Sequence, residues 1–169
     1  MGWRKLNTDG SSVGTLGLVG GGGVIRDEEG KWVIGYARKI GAANNFFAKL
    51  WALRDGLLLC LQSHTQAVVI VMDAKVIVDA FAQQGNSNVI ISSLMDDCRQ
   101  LVAQIPQVRI THVYREANKC ADHLAKLGSS MGSDITVFSC PPVDIHPFYE
   151  ANCRGLFVNR LCTDPVFAL

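Results

Sequence analysis

Three aspartates are placed where side chains from separate segments of the chain can meet. Asp9 ends an alternating run, Asp73 follows the apolar run AVVIVM, and Asp122 lies in the first turns of the last helical pattern. Carboxylates that converge at the ends of neighbouring strands repel one another unless divalent cations neutralise them. Because all the donors are oxygens, Mg²⁺ or Mn²⁺ is the expected ion. Taken singly, the same residues are also typical of a turn, a helix cap and a solvated charge.

A lysine interrupts the pattern at the start of the first predicted helix. Lys49 lies in the first turns, where the helix dipole favours a carboxylate. Its i+3, i+4 and i+7 neighbours are Ala52, Leu53 and Gly56, a small apolar stripe that we expect to face the sheet. Two interpretations stay open: the ammonium pairs with the aspartates, or the side chain extends to the rim of the protein.

The periodicity predicts three strands at the start of the chain and strand–helix units after them. WRKLNTD alternates and ends in the turn signal DGSS, and a second turn, DEEG, separates the next two strands. A helix follows from Asn45 to about Gln62, with Asn44 or Asn45 as its cap. QAVVIVMD is predicted as a buried strand, and QVRITHV as the last, short strand.

Three more helices complete the predicted order β-β-β-α-β-α-α-β-α. They are AKVIVDAFAQQ, which stops at Gly85, VIISSLMDDCRQLVAQI, which ends before Pro106, and EANKCADHLAKLG, which ends at Gly128. This order predicts an α/β fold with a mixed five-stranded sheet, a three-strand antiparallel meander plus two parallel strands, and helices on both faces. Residues 1–128 form the predicted domain, and residues 129–169 form a C-terminal extension, packed on the domain or partly flexible.

Composition narrows the classes of function. The chain has 169 residues and a net charge of +1, so nucleic-acid binding would depend on local groups rather than on a global field. No apolar run reaches the length of a membrane span, and the N-terminus has no apolar segment typical of a secretory signal. The six cysteines are scattered, which favours reduced thiols over disulfides or zinc. We expect an intracellular protein, nuclear or cytoplasmic, with a monomer favoured.

Five stretches together resemble the type 1 ribonuclease H family, with most similarity to the plant branch related to non-LTR retrotransposons. They lie between Lys5 and Gly128 and read KLNTDGSS, GGGGVIRDEEGKWVIGYARKI, FFAKLWALRDGLLLC, VVIVMDAKVIVDAF and HVYREANKCADHLAKLG. The resemblance implies a ribonuclease H-like fold and an endonuclease that cuts the RNA strand of an RNA–DNA hybrid. It also implies two Mg²⁺ or Mn²⁺ ions held by an Asp-Glu-Asp-Asp set.

Lys49 is the main departure from the family pattern. Asp9, Asp73 and Asp122 match the three aspartates, whereas Lys49 stands at the position of the glutamate. A lysine there changes the local charge by two units and removes an oxygen ligand, which predicts severely impaired metal affinity and cleavage. Three interpretations stay open: an impaired hybrid ribonuclease, a non-catalytic nucleic-acid-binding or protein-interaction module that keeps the fold, and a sporadic or engineered change in an active enzyme.

The resemblance also suggests residues that contact nucleic acid. Asn45 and Asn118 match family asparagines, and a glycine-rich strand such as GGGG can approach a ribose closely. Helix capping and a tight strand twist are the alternatives for these residues. The predicted substrate-binding residues are Gly10, Ser11, Gly22, Asn45, Arg115 and Asn118. Salt-sensitive phosphate contacts are expected from Lys5, Arg26, Lys75, Arg115 and Lys119.

Overall fold

Three antiparallel strands open the chain, as predicted, but the first does not end at Asp9: the predicted turn DGSS is part of the strand, which pairs with its neighbour as far as Val13. They are β1 (Arg4–Val13), β2 (Leu18–Arg26) and β3 (Trp32–Ala42). In the turn between β2 and β3, the Asp27 carboxylate accepts hydrogen bonds from two backbone N–H groups, and Gly30 adopts a positive φ of 81°. Aspartate and glycine are favoured at such positions because one bonds its own backbone and the other tolerates the left-handed region.

Helix α1 (Asn45–Gln62) begins where the sequence predicts. The Asn44 side chain caps it by accepting from the backbone N–H of Phe47 at 2.9 Å, which decides between the two candidate caps. The helix buries its apolar stripe against the sheet, including Ala52 and Leu53. The position of α1 therefore brings Lys49, in its second turn, to the sheet.

The computed structural model describes residues 2–13, 17–83, 89–154 and 167–168. Within these ranges β4 (Ala67–Met72) and β5 (Gln107–His112) lie parallel to β1, and helices α2 (Lys75–Ala82) and α3 (Val89–Val102) connect them. The predicted helix stop at Gly85 lies outside the described residues.

Helix α4 (Lys119–Ser130) covers the face of the sheet opposite α1 and follows a 3₁₀ turn at Arg115–Ala117. The glycines of β2 show this arrangement, because neighbouring glycines contact helices on opposite faces of the sheet. An added Cβ at Gly22 would lie 2.4 Å from the backbone nitrogen of Ala125 in α4, whereas one at Gly21 would meet α1 instead. The confirmed fold class, with helices on both faces, thus depends on backbone packed closely against backbone.

The segment after α4 enlarges the predicted five-stranded sheet. Strand β6 (Ile135–Phe138) pairs with β3, and β7 (Phe167–Ala168) pairs with β5, so the sheet order is β6-β3-β2-β1-β4-β5-β7. Both additions are short edge strands, for which periodicity over four or fewer residues is too weak to predict. Where the division into domain and extension falls stays a prediction.

Helix α5 (His146–Cys153) packs the same segment onto the sheet. The backbone N–H of Trp32 donates to the Tyr149 hydroxyl at 3.0 Å, and the Trp32 indole N–H donates to the Phe138 carbonyl at 3.1 Å. The rings of Trp32 and Tyr149 also meet edge to face. These contacts anchor α5 beside the start of β3.

The cysteines in the described ranges are unpaired, in line with the expectation of reduced thiols. They are Cys60, Cys98 and Cys120, which are buried, and Cys140 and Cys153, which are exposed. Cys162 lies outside the described residues. No helix in the described ranges is both long enough and apolar enough to cross a lipid bilayer.

Candidate functional site

Lys49 bridges two of the three predicted metal ligands. Its Nζ lies 2.5 Å from Asp9 Oδ1 and 2.5 Å from Asp73 Oδ1. The Lys49 side chain is only 14% exposed, and the side chains of Asp9 and Asp73 are 1% and 9% exposed. Of the two interpretations of this lysine, the geometry shows pairing with the aspartates rather than extension to the rim.

The sheet register explains why these groups meet. Strands β1 and β4 run parallel with Asn7 opposite Val71, so Asp9 and Asp73, each two residues further on, lie at the same level. Gly10 allows the start of α1 to approach, because a Cβ at Gly10 would lie 2.5 Å from the backbone nitrogen of Lys49. A glycine directly after Asp9 is therefore required for the ammonium to reach both carboxylates.

The cluster has a distinct electrostatic balance. Burial raises the pKa of Asp9 from 3.8 to about 6, against the opposing effect of Lys49 and with a further rise caused by Asp73. Burial acts to lower the pKa of Lys49, but the attraction of Asp9 and the hydrogen bonds that the ammonium donates to both carboxylates raise it overall. Lys49 is therefore a permanent cation at neutral pH.

Asp9 makes the stability of the protein depend on pH. Because its carboxyl has a higher pKa in the folded than in the unfolded chain, the folded state binds this proton more tightly. The stabilisation is full below the unfolded value of 3.8 and is lost as the pH rises through about 6. We expect the free energy of unfolding in urea to fall across this window in the wild type.

Two variants distinguish the contribution of Asp9 to this pH dependence from that of other titrating groups. Asp9→Asn removes the carboxyl and should flatten this part of the pH profile, whereas Asp144→Asn, at an exposed position, should leave it unchanged. Superimposable profiles for the wild type and Asp9→Asn would show that Asp9 has no such role.

The third aspartate has cations of its own. Asp122 Oδ1 accepts from Arg115 Nη2 at 3.2 Å, and Asp122 Oδ2 accepts from Lys126 Nζ at 2.6 Å. Burial tends to raise the pKa of Asp122, but the hydrogen bonds from Lys126 and Arg115 outweigh it and hold that pKa below its usual range. Lys126 was not among the predicted site residues, although its i+4 spacing from Asp122 on one helix indicates such an ion pair.

The three carboxylates do not fit the two-metal site that the family resemblance implies. Each is already paired with a cationic side chain: Asp9 and Asp73 share Lys49, and Asp122 has Arg115 and Lys126. Within the described ranges, no group of three or more His, Cys, Asp and Glu side chains is arranged to hold a metal ion. The donor set, with an ammonium between two carboxylates, matches a structural ion-pair cluster better than a ligand set.

The predicted substrate-binding residues fall into two groups. Asn45 and Arg115 are exposed, and 69% of the Arg115 side chain is accessible. The buried members are Gly10, Ser11, Gly22 and Asn118. Exposed groups are free to approach a nucleic acid without rearrangement, so Asn45 and Arg115 are the stronger candidates; a contact at any of the six stays a prediction.

Asn118 has a structural task that its sequence position did not reveal. Its amide N–H donates to the Thr8 carbonyl at 2.8 Å, and its Oδ1 accepts from Asn7 Nδ2 at 2.9 Å. The side chain is 1% exposed. Asn118 thus ties the start of α4, which carries Asp122, to the strand that carries Asp9.

The meander, the parallel strands β4 and β5, and the acidic residues Asp9 within β1 and Asp73 directly after β4 define a type 1 ribonuclease H-like domain. RNase H1 from the halophilic archaeon Halobacterium salinarum has this fold, with a TM-score of 0.70 and 25% identity over 75% of this chain and 97% of that one. LC11-RNase H1, solved in complex with an RNA/DNA hybrid, matches with a TM-score of 0.65 and 24% identity over 73% of this chain and 94% of that one.

The reverse transcriptase-like family matches residues 7–128, and the chain belongs to that family. An Arabidopsis thaliana protein named as a candidate ribonuclease H protein is 36% identical over 142 residues, or 84% of this chain. The chain spans 23% of the length of that relative.

Proposed function

We propose that this domain binds RNA–DNA hybrids on the surface around Asn45 and Arg115 and does not hydrolyse them. The fold supports the first half of the proposal, since one structure that shares it, LC11-RNase H1, is bound to an RNA/DNA hybrid. The acidic cluster supports the second half. The proposal includes the assignment of this chain to the plant, retrotransposon-related branch of the family.

The single observation that carries the proposal is the position of the Lys49 ammonium. It lies within hydrogen-bond distance of both Asp9 and Asp73, where it takes up the charge that would otherwise attract a divalent cation. At an effective dielectric of about 20, two unit charges 4 Å apart interact by about 4 kcal/mol, so a second cation at this place meets strong repulsion. Mg²⁺ or Mn²⁺ is therefore not expected to bind here in the wild type.

Neutralised carboxylates also favour binding of a polyanion. Three uncompensated aspartates would repel phosphates, whereas Lys49, Arg115 and Lys126 balance them. Arg115 is the most suitable phosphate contact of the three, because most of its side chain is exposed while Lys49 is enclosed. The domain thus has a surface around the cluster that a nucleic-acid backbone can approach.

Fluorescence anisotropy with a labelled RNA–DNA hybrid tests the proposal, with DNA and RNA duplexes of the same sequence for comparison. We expect preferential, saturable binding of the hybrid that weakens with added salt, and intact RNA after prolonged incubation with Mg²⁺. Arg115→Gln should weaken binding by about threefold to tenfold, in line with the loss of one charged contact. Lys39→Gln, which removes an exposed lysine elsewhere on the sheet, is the matched control.

Two results would refute the proposal. Efficient cleavage of the hybrid by the wild-type protein would show that the cluster recruits metal despite Lys49. Absence of binding to every duplex at low salt would reject the nucleic-acid function and favour a protein-interaction module that keeps the fold.

A further inference from the structure

Arg26 is a buried cation without an acidic partner. It is 6% exposed, and within the described ranges no carboxylate forms an ion pair with it. Burial lowers the pKa of the guanidinium, which reflects the cost of placing its charge away from water. An uncompensated buried charge is strongly unfavourable, so an arginine in this position calls for an anion.

The groups that accept hydrogen bonds from Arg26 are neutral amides. Nη2 donates to Asn7 Oδ1 at 2.7 Å, and the Asn152 amide, turned so that its oxygen faces the guanidinium, accepts from Nη2 at 2.9 Å and from Nη1. Arg26 Nε has no hydrogen-bond partner among the described residues. These contacts orient the guanidinium, but they supply no negative charge.

A second cation lies directly beside it. Lys5 on β1 stands opposite Arg26 on β2 in the strand register, where like charges are destabilising. Burial lowers the pKa of Lys5, and the charge of Arg26 lowers it further. Both residues line one open cavity of about 590 Å³, together with Arg4 and Asn152.

Three acidic residues, Asp27, Glu28 and Glu29, also line this cavity. The Asp27 carboxylate accepts from the backbone N–H groups of Glu29 and Lys31, and Glu29 forms an ion pair with Lys31. Glu28 is exposed. None of the three forms an ion pair with Arg26 or Lys5 within the described ranges, so these two neighbouring cations have no carboxylate in direct contact.

We propose that this cavity is an oxyanion site, in which a phosphate group binds between Arg26 and Lys5. A phosphate supplies the negative charge that the amides lack and accepts several hydrogen bonds at once. The group is either a free phosphate or a phosphate of a nucleic-acid backbone. The site is separate from the acidic cluster, and it does not depend on hybrid binding.

The site is connected to the acidic cluster by buried amides. Arg26 donates to Asn7, Asn7 donates to Asn118, and Asn118 donates to the carbonyl of Thr8, the residue before Asp9. A change in the position of the guanidinium therefore alters the hydrogen bonds of Asn118, the side chain that fixes α4 to β1. Occupancy of the cavity gives a spectroscopic signature at these amides.

Isothermal titration with sodium phosphate tests the site, with chloride keeping the ionic strength constant. The wild type should show one saturable site, and Lys5→Gln should raise the Kd about tenfold, since one charge-assisted hydrogen bond is lost. Lys39→Gln, an exposed lysine outside the cavity, should bind phosphate as the wild type does. In ¹⁵N spectra, phosphate should shift the side-chain amide signals of Asn7 and Asn118.

Arg26→Gln should abolish phosphate binding. If this substitution at a buried position prevents folding, Lys5→Gln tests the site instead. No saturable binding up to about 50 mM phosphate, or an equal Kd for Lys5→Gln and the wild type, would overturn the site. Two further outcomes identify the source of the group. If saturating phosphate weakens hybrid binding at constant ionic strength, the cavity holds a backbone phosphate; if hybrid binding is unchanged, it holds a free oxyanion.

Discussion

Lys49→Glu is expected to produce a protein that Mg²⁺ stabilises and that cleaves RNA–DNA hybrids. The substitution replaces the ammonium between Asp9 and Asp73 by a third carboxylate, which changes the charge of the cluster by two units. Without metal these carboxylates repel one another in a poorly solvated place. The free energy of unfolding in EDTA should therefore fall by about 3 kcal/mol or more, the usual cost of leaving buried charges unpaired.

Divalent cations should reverse this loss in the variant alone. The melting temperature of Lys49→Glu should rise with Mg²⁺ concentration, because an ion that binds only the folded state stabilises it by mass action. The wild type should show no such rise, since its carboxylates already have Lys49 as counter-ion. Hybrid cleavage by the variant should exceed that of the wild type by a factor on the order of 10²–10³, the typical effect of one charge-stabilising group.

Two controls isolate the role of this position. Lys49→Gln removes the cation without adding a carboxylate and should lose stability without gaining efficient cleavage. Lys39→Glu makes the same change of charge at an exposed position and should leave both properties unchanged. Equal cleavage by the wild type and Lys49→Glu, or a wild type that Mg²⁺ stabilises just as strongly, would show that Lys49 does not control the site.

The second large effect is expected from Gly22→Ala. A Cβ at Gly22 would lie 2.4 Å from the backbone nitrogen of Ala125 and 2.5 Å from the backbone carbon of Leu124. These atoms belong to the backbone of α4 and cannot move aside as a flexible side chain can, so the whole helix must shift from the sheet. We expect a loss of about 3 kcal/mol or more in the free energy of unfolding, at the upper end of overpacking effects.

Neighbouring glycines provide a graded series for this measurement in urea. At Gly21 the nearest atom to an added Cβ is the Cβ of Ala52, at 3.2 Å, so Gly21→Ala should cost clearly less than Gly22→Ala. Gly132→Ala meets no atom within 4 Å and should have almost no effect. If Gly22→Ala kept full stability and lost hybrid binding, the glycine would serve the nucleic acid and not the packing of α4.

Much of the fold follows from the sequence because the relevant signals are local. The Asn44 cap and the apolar run of β4 each report the environment of a single element, whereas β1 is buried on both faces from Leu6 to Ser11 despite the alternation of its sequence. The edge strands β6 and β7 gave no comparable signal, because their four and two residues are too few to establish a period. Their pairing depends on the exposed edges of β3 and β5, which exist only once the sheet has formed.

The candidate site, like the fold, could be predicted only in part from the sequence. The sequence by itself determined that Asp73 follows β4 and that a lysine stands at position 49, but it placed Asp9 at the end of β1, which continues to Val13. Only the tertiary structure decided between a paired and a rim-exposed ammonium, because the flexible lysine stem allows both. The outcome depends on how closely α1 approaches β1 at Gly10. The burial of Arg26 and Asn118 was likewise decided by the tertiary structure, in which helices α4 and α5 cover one face of the sheet. Contacts between segments more than a hundred residues apart cannot be predicted from local periodicity.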